Sequence, residues 1–367
     1  MLNIFRRMVA TFFLYVLFFV ANTSALASSG FDFQLEQNKR IMSYLDNGDL
    51  LCSVLTEERS IEAIELISGR AEFIWNIKLP EPLGVPIVSL AKKDSSGCIV
   101  SGKGQFSALF QAYMINAQGE MAQSVALPDG AFPLALTEQG CLYTITDNEG
   151  KQALIFANWQ GEMLAQSQFD GKIQYSQCSI QDETRIFFDT FYKDQSNQTK
   201  VGLGCFSLQE GLLWHFEVGN AEEWNIQSIC LNNLGGVTAI SQCTRDNLGV
   251  YQAFTVLNEN GVVDSQNKIE SSYYYPVAQV IQQSPDGNYR IWGSAGICNE
   301  GETYPYTDTT YALTLSSQGE YLSEECGIYV GTCVLYNNDI YVYNADGNNY
   351  TNICKFEPFK KKSKNFF

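Results

Sequence analysis

Histidine is almost missing: one residue, His215, in 367. A multi-histidine metal centre cannot be built from it, and a Ser-His-Asp or Cys-His hydrolase would have to use this one ring. His215 lies in the alternating stretch Leu212-Leu-Trp-His-Phe-Glu-Val218, which reads as an outer strand, so a structural place is expected for it. None of the 11 cysteines forms a Cys-x-x-Cys pair, which removes zinc-ribbon and dithiol redox spacings. Cations are scarce, with 23 Lys and Arg against 40 Asp and Glu and a net charge of −17. Such a surface repels nucleic acid and anionic membrane, because gripping phosphates takes clustered Lys and Arg. The one basic cluster, Lys360, Lys361, Lys362 and Lys364, falls in a short tail, residues 358–367, and reads as a solvated terminus.

Long apolar runs are also missing, with one exception, which excludes a multi-span membrane protein. In residues 1–27, Arg6 and Arg7 precede the uncharged stretch Met8 to Val20, and Ala25-Leu-Ala27 closes it with small residues. This reads as a signal peptide cleaved before Ser28, giving a secreted, extracellular chain with no stable membrane insertion after cleavage. The alternative is an uncleaved anchor that holds the chain at the cell surface. Cleavage would leave 340 residues with all 40 acids and 21 bases, a still more acidic protein.

What is abundant is apolar and aromatic side chain, 45% and 13% of residues, punctuated by 29 glycines. The glycines recur. One set of turns carries Gly69, Gly119, Gly161, Gly211, Gly261 and Gly319, at separations of 50, 42, 50, 50 and 58 residues. A second set interleaves with it at Asn47-Gly48, Ser96-Gly97, Gln139-Gly140, Asp182-Glu183, Leu234-Gly235, Asp286-Gly287 and Asn338-Asp339. Two turns per period, each flanked by Val, Ile, Tyr, Phe and Leu, are two β-hairpins, with Gly supplying positive φ at the corner.

Four strands per period make a β-propeller blade. In the second unit the strands are expected at Ile87 to Lys93, Cys98 to Gly102, Leu109 to Ala117 and Glu120 to Leu127. The last unit, Thr332 to Phe356, has three strands only, and Phe31 to Leu35 is a strand without a partner, so the N-terminal strand is expected to complete that unit. The fold class expected is therefore all-β, a single β-propeller domain over residues 28–357 with seven four-stranded blades. Six blades, an open arrangement or a pair of β-sandwiches are the rivals.

The stretches Tyr311-Ala-Leu-Thr-Leu-Ser-Ser-Gln-Gly319-Glu, Cys205-Phe-Ser-Leu-Gln-Glu-Gly211-Leu-Leu-Trp214 and Ile64-Glu-Leu-Ile-Ser-Gly69-Arg resemble the repeat of pyrroloquinoline-quinone-type (WD-repeat-like) propellers. In that family a strand runs into a Thr-Gly-Lys-like turn and a docking Trp follows. Here Trp214 comes three residues after its glycine and Trp75 six after Gly69, where the family has four. The resemblance implies architecture. It implies no quinone, since no calcium or cofactor ligand set matches, and no cofactor or metal is expected.

Several cysteines share a phase of the repeat: Cys178, Cys230 and Cys333 precede the inner turn, and Cys98 and Cys141 follow it. Repeat-equivalent placing suits a small buried core residue, so mostly free thiols are expected, with Cys298 and Cys326 the one possible disulfide.

In a propeller, ligands meet the loops that enter the innermost strands. Those loops, the first of them expected at Leu79 to Pro86, hold Phe132, Tyr175, Trp224, Tyr273, Tyr274, Tyr275 and Tyr329 beside Asp129, Asp170, Glu222, Glu223, Glu324 and Glu325. Rings offer stacking area and carboxylates accept hydrogen bonds, which suits a protein or glycan ligand on one propeller face. Capping of the sheet ends explains the same rings without a ligand. No nucleophile, base and orienting group can be assembled, so the expected function is a non-catalytic recognition or scaffold module, monomeric. A carboxylate-based secreted enzyme acting on carbohydrate is the alternative.

Overall fold

The computed structural model describes residues 33–36, 38–45, 49–68, 72–92, 97–245, 249–269, 274–297, 307–327, 332–336, 339–345 and 350–355. The expected signal peptide and basic tail lie outside them. Every regular element among the described residues is a β-strand.

The chain advances through antiparallel meanders. The first contains seven strands: Lys39–Tyr44, Leu50–Leu55, Ile61–Ile67, Phe73–Lys92, Gly97–Gly104, Phe110–Ile115 and Met121–Ala126. Four-stranded meanders follow. The first is Phe132–Leu136, Gly140–Thr146, Gln152–Asn158 and Met163–Phe169, and a later one is Trp224–Leu231, Val237–Arg245, Gly249–Leu257 and Val263–Ile269. Between these two, a sheet runs through Arg185–Lys193, Thr199–Ser207 and Gly211–Asn220, its innermost place split between Lys172–Tyr175 and Ser179–Gln181. Tyr274–Gln283, Tyr289–Ile297, Thr307–Leu315 and Tyr321–Cys326 form the next. Thr332–Tyr336, Asp339–Ala345 and Tyr350–Lys355 are completed by Phe33–Glu36, with Phe33 opposite Ile353 and Glu36 opposite Tyr350.

Local chemistry explains the corners. At Asn116 the side-chain Oδ1 accepts from the N–H groups of Gln118 (3.0 Å) and Glu120 (2.9 Å), and Gly119 takes φ 76°. Asn158 with Gly161 and Asn258 with Gly261 repeat the device, an Asx turn closed by a left-handed glycine. Gly97 and Gly140 depart from expectation, for neither has a positive φ. They are glycine because a Cβ there would press on the next strand: on the Ile115 carbonyl, 2.8 Å away, at Gly97, and on the Ala157 carbonyl at Gly140.

A second departure concerns Leu79 to Pro86, expected as a loop. It is the middle of the 20-residue strand Phe73–Lys92, which pairs with two neighbours in turn. Ile77 faces Ile64 early in the strand, Val88 faces Ser101 late in it, and Leu83 touches both sides, opposite Ile61 and Gly104. Pro80 and Pro82 fit because the ladder with Ile61–Ile67 is irregular there, with a register shift between Ile61 and Ala63.

Apolar layers fill the spaces between successive units. Leu51, Ile64 and Trp75 of the first unit meet Val100 and Tyr113 of the second. Phe156 meets Phe188 and Phe206, and Phe254 meets Tyr289 and Leu313. All three phenylalanines of the middle layer are fully buried, and each such side chain contributes about 1.5–3 kcal/mol by leaving water.

Indoles lock the layers at the rim. Trp75 Nε1 donates to the Ala117 carbonyl at 3.0 Å, and its ring lies where a Cβ on Gly119 would be. Trp214 Nε1 donates to the Glu259 carbonyl at 2.9 Å, over Gly261.

Candidate functional site

The segments that lead from the fourth strand of one unit to the first strand of the next carry Phe132, Tyr175 and Trp224. Phe132 opens its strand half-buried, edge-on to Phe110 of the preceding unit, with centroids 5.5 Å apart. Tyr175 stacks on its cross-strand partner Phe191 at 4.5 Å, the planes inclined by 14°. Burial, then the carboxylate of Asp189, pushes its phenol above the ordinary range. Trp224 begins its strand half-buried and edge-on to Tyr251 at 6.5 Å, and Lys268 Nζ sits 5.1 Å from the centre of the Tyr251 ring. Trp224, Tyr251 and Lys268 thus cross one sheet as a ladder of ring, ring and cation.

Acids accompany these rings. Glu222, Asp129 and Asp170 are exposed. Glu223 is half-buried; its N–H donates to Asn220 O at 3.1 Å, and its carbonyl accepts from Thr244 at 2.8 Å. Glu325 meets Arg290 at 3.3 Å, with the guanidinium over Trp292. Tyr274 and Tyr275 belong to the strand Tyr274–Gln283, with Tyr274 opposite Gly296. Tyr273, Tyr329 and Cys298 lie outside the described residues, and with Cys298 lies the proposed Cys298–Cys326 bridge.

Two acids that the sequence did not single out hold this end of the fold in shape. Asp189 is buried, and its Oδ1 accepts from Ser176 Oγ (2.8 Å), Gln177 N (2.7 Å) and Cys178 N (2.8 Å), fixing the break in the innermost strand. Burial raises its carboxyl in spite of those bonds. Glu81 accepts from Phe106 N (2.8 Å), Ser107 N (3.0 Å) and Ser107 Oγ (2.7 Å). Burial pulls Glu81 upward, but the three donors outweigh it and hold the carboxyl below its usual value. The only sequence signal for Glu81 is an acid flanked by Pro80 and Pro82; for Asp189 there is none, since its partners depend on register.

His215 has the structural place expected. Its Nε2 lies 2.8 Å from Thr190 Oγ1, and Phe169 and Tyr192 present their edges at 5.0 and 4.9 Å. Burial lowers its pKa to about 4, so the ring is neutral. The thiols of Cys52, Cys98, Cys178, Cys205, Cys230 and Cys333 are free and pushed up to about 12, chiefly by burial, and Cys141 is raised likewise. A thiol in that state is a poor nucleophile. Among the described residues no three His, Cys, Asp or Glu side chains converge as a metal site would require.

Neither a family model nor a curated protein matches the sequence. The structure does resemble solved ones. It superposes on the crystal structure of BamB from Moraxella catarrhalis, a propeller, with a TM-score of 0.51 at 12% identity, covering 90% of this chain and 99% of that one. This chain has a β-propeller fold. The propeller also matches the WD40 domain of SCAP from fission yeast, at 9% identity and a TM-score of 0.41 over 89% of this chain and 98% of the other. A third match is the β-propeller domain of the Trilobed protease from Pyrococcus furiosus, described as an open velcro topology, at 9% identity and 0.42 over 81% and 95%. In the propeller, Phe132, Tyr175 and Trp224 belong to the end where one unit hands over to the next.

Proposed function

We propose that this chain is an exported, non-catalytic recognition module, a propeller of seven blades closed by Phe33–Glu36, that binds a protein at its crossover end. In this reading residues 1–27 are removed before Ser28, the mature chain is monomeric, and its repeat is a degenerate relative of the pyrroloquinoline-quinone type without the quinone. Trp75 and Trp214 serve as the docking tryptophans, and Cys298 and Cys326 are bridged.

One observation carries the reading. Among the described residues the histidine, the two buried acids and the thiols are taken up by the fold: His215 by Thr190, Asp189 and Glu81 by loop N–H groups, and seven thiols by burial; the exposed acids are what the carbohydrate-active alternative would use. The crossover end keeps half-buried rings beside exposed acids, which is the make-up of a binding surface.

The test uses mature protein, residues 28–367, immobilised and exposed to the exported proteins of its source, with a glycan array in parallel. An identified ligand is then titrated against the Trp224→Ala, Tyr274→Ala double variant. A loss of about tenfold or more is expected. Unchanged affinity removes the reading, and turnover on a panel of chromogenic glycosides transfers it to the carbohydrate-active alternative.

A further inference from the structure

The outer turns at Asn116, Asn158 and Asn258 share one construction but differ in the residue that precedes the glycine. It is Gln118 before Gly119, Gln160 before Gly161 and Asn260 before Gly261. One methylene separates the two side chains, and it matters to their chemistry. The next backbone nitrogen reaches an asparagine amide carbon by closing a five-membered ring, whereas glutamine requires a six-membered ring that closes far more slowly. A following glycine puts no side chain in the way of that approach. The chain's other Asn-Gly pair, Asn47-Gly48, lies outside the described residues.

The turn is closed by Asn258, which leaves the Asn260 side chain unused. Asn258 Oδ1 accepts from Asn260 N at 3.0 Å and from Val262 N at 3.2 Å. Asn260 is exposed, and its carboxamide makes no hydrogen bond among the described residues. Gly261 N donates to Asn258 O at 3.0 Å, so the turn must open before this nitrogen can attack. It lies at the surface ahead of Val263–Ile269, a strand whose side chains are mostly exposed, where local opening costs little.

Trp214 spans the bond in question. Its Nε1 donates at 2.9 Å to the carbonyl of Glu259, the residue before Asn260, while its ring lies against Gly261, the residue after. Lengthening the main chain between those two points moves either the acceptor from the donor or the glycine from the ring. Trp75 holds Ala117 and Gly119 in the same manner across Gln118.

We infer that Asn260 is a site of spontaneous deamidation to isoaspartate, and that its conversion unfastens Trp214 from the neighbouring unit. The Gly261 amide nitrogen gives its proton to base and attacks Asn260 Cγ. The bond from Cγ to the side-chain nitrogen breaks, ammonia leaves with a proton taken up from solvent, and a succinimide closes. Water opens that ring at either carbonyl, giving aspartate by one route and isoaspartate, with one more methylene in the main chain, by the other. The sum is amide plus water to carboxylate plus ammonium, with nothing oxidised or reduced. This site does not depend on the recognition surface proposed above.

The test ages mature protein in mildly alkaline buffer at body temperature, beside an unstructured peptide spanning Asn258 to Val262 and beside Asn260→Gln protein. Peptide mapping by mass and methyl labelling by an isoaspartyl methyltransferase read the conversion. Magnetic resonance of the indole N–H groups, assigned with Trp75→Phe and Trp214→Phe proteins, reads the joints. Asn260 should take on the mass of an acid and accept methyl label while Gln118 and Gln160 stay intact. The Trp214 indole N–H should shift and exchange faster in step with that conversion, and the Trp75 signal should hold its place. Asn260→Gln protein should keep its Trp214 signal throughout. Four results overturn the inference: Asn260 intact when the free peptide has fully converted, aspartate as the sole product, an unmoved Trp214 signal in converted protein, or the same Trp214 shift in Asn260→Gln protein.

Discussion

The indole N–H of Trp75 reaches the carbonyl oxygen of Ala117 at 3.0 Å, joining the outer strand of the first unit to the outer turn of the second. Trp214 and Glu259 make the same joint between later units. Trp75→Phe keeps most of the packing but loses the donor, and is expected to cost about 1 kcal/mol. Trp75→Ala also empties a buried site and should cost about 3–5 kcal/mol in urea unfolding. Because the two joints are separate, the Trp75→Phe, Trp214→Phe double variant should lose the sum of the single effects.

His215 makes stability depend on pH. Its ring is held at about 4 in the folded protein and titrates near its ordinary 6.5 when unfolded, so the unfolded chain binds more protons between those values. Stability should therefore fall as pH drops from about 6.5 towards 4, by on the order of 3 kcal/mol from this ring, and level off below. His215→Gln should flatten that part of the profile in urea titrations at stepped pH. A slope unaltered by the substitution would remove His215 as its source.

Asp189 acts in the opposite direction. Its carboxyl is raised in the fold, so the stability it adds is present below its unfolded value and is lost as pH rises through the folded one. Relative to Asp189→Asn, the native protein should lose ground with rising pH across the acid range. Asp189→Ala leaves the N–H groups of Gln177 and Cys178 without their acceptor and should cost several kcal/mol, on the order of 1–3 for each buried group.

Glu81→Ala tests the loop at Phe106. The N–H groups of Phe106 and Ser107 both donate to Oε2 of Glu81 and the Ser107 hydroxyl to Oε1, and alanine offers none of these an acceptor. Amide exchange at both residues should quicken while the inter-unit core stays protected. Unchanged exchange there would mean that the loop is held by other contacts.

The buried thiols give a chemical readout. Eight cysteines, Cys52, Cys98, Cys141, Cys178, Cys205, Cys230, Cys243 and Cys333, are free, seven of them buried. Native protein should react slowly with a thiol reagent, and denatured, unreduced protein should release these eight at once. A count near one would show that the cysteines pair.

Turn chemistry was the most legible level of the sequence. Asn116 to Gly119 is a local device, complete within a few residues, and so are its copies at Asn158 and Asn258. Phe33–Glu36 pairing with Tyr350–Lys355 was also readable, from an orphan strand and a unit lacking one. The strand through Leu79 to Pro86 was not, because three prolines suggest a loop and only the neighbouring ladder shows where Pro80 and Pro82 are tolerated. Of the candidate rings, Phe132, Tyr175 and Trp224 could be placed at the crossovers. Their packing against Phe110, Phe191 and Tyr251 could not, since it depends on register between strands far apart in sequence.

The pairing of Phe33 with Ile353 has a consequence for synthesis. Phe33–Glu36 finds its hydrogen-bonding partner only after the whole stretch between it and Tyr350 has left the ribosome. Until then its sticky flank is open to strangers, and completion waits on a slow, long-range encounter rather than on local zipping. Circularly permuting the gene so that Phe33–Glu36 follows Tyr350–Lys355 directly would turn that late meeting into a neighbourly hairpin, and refolding should speed up.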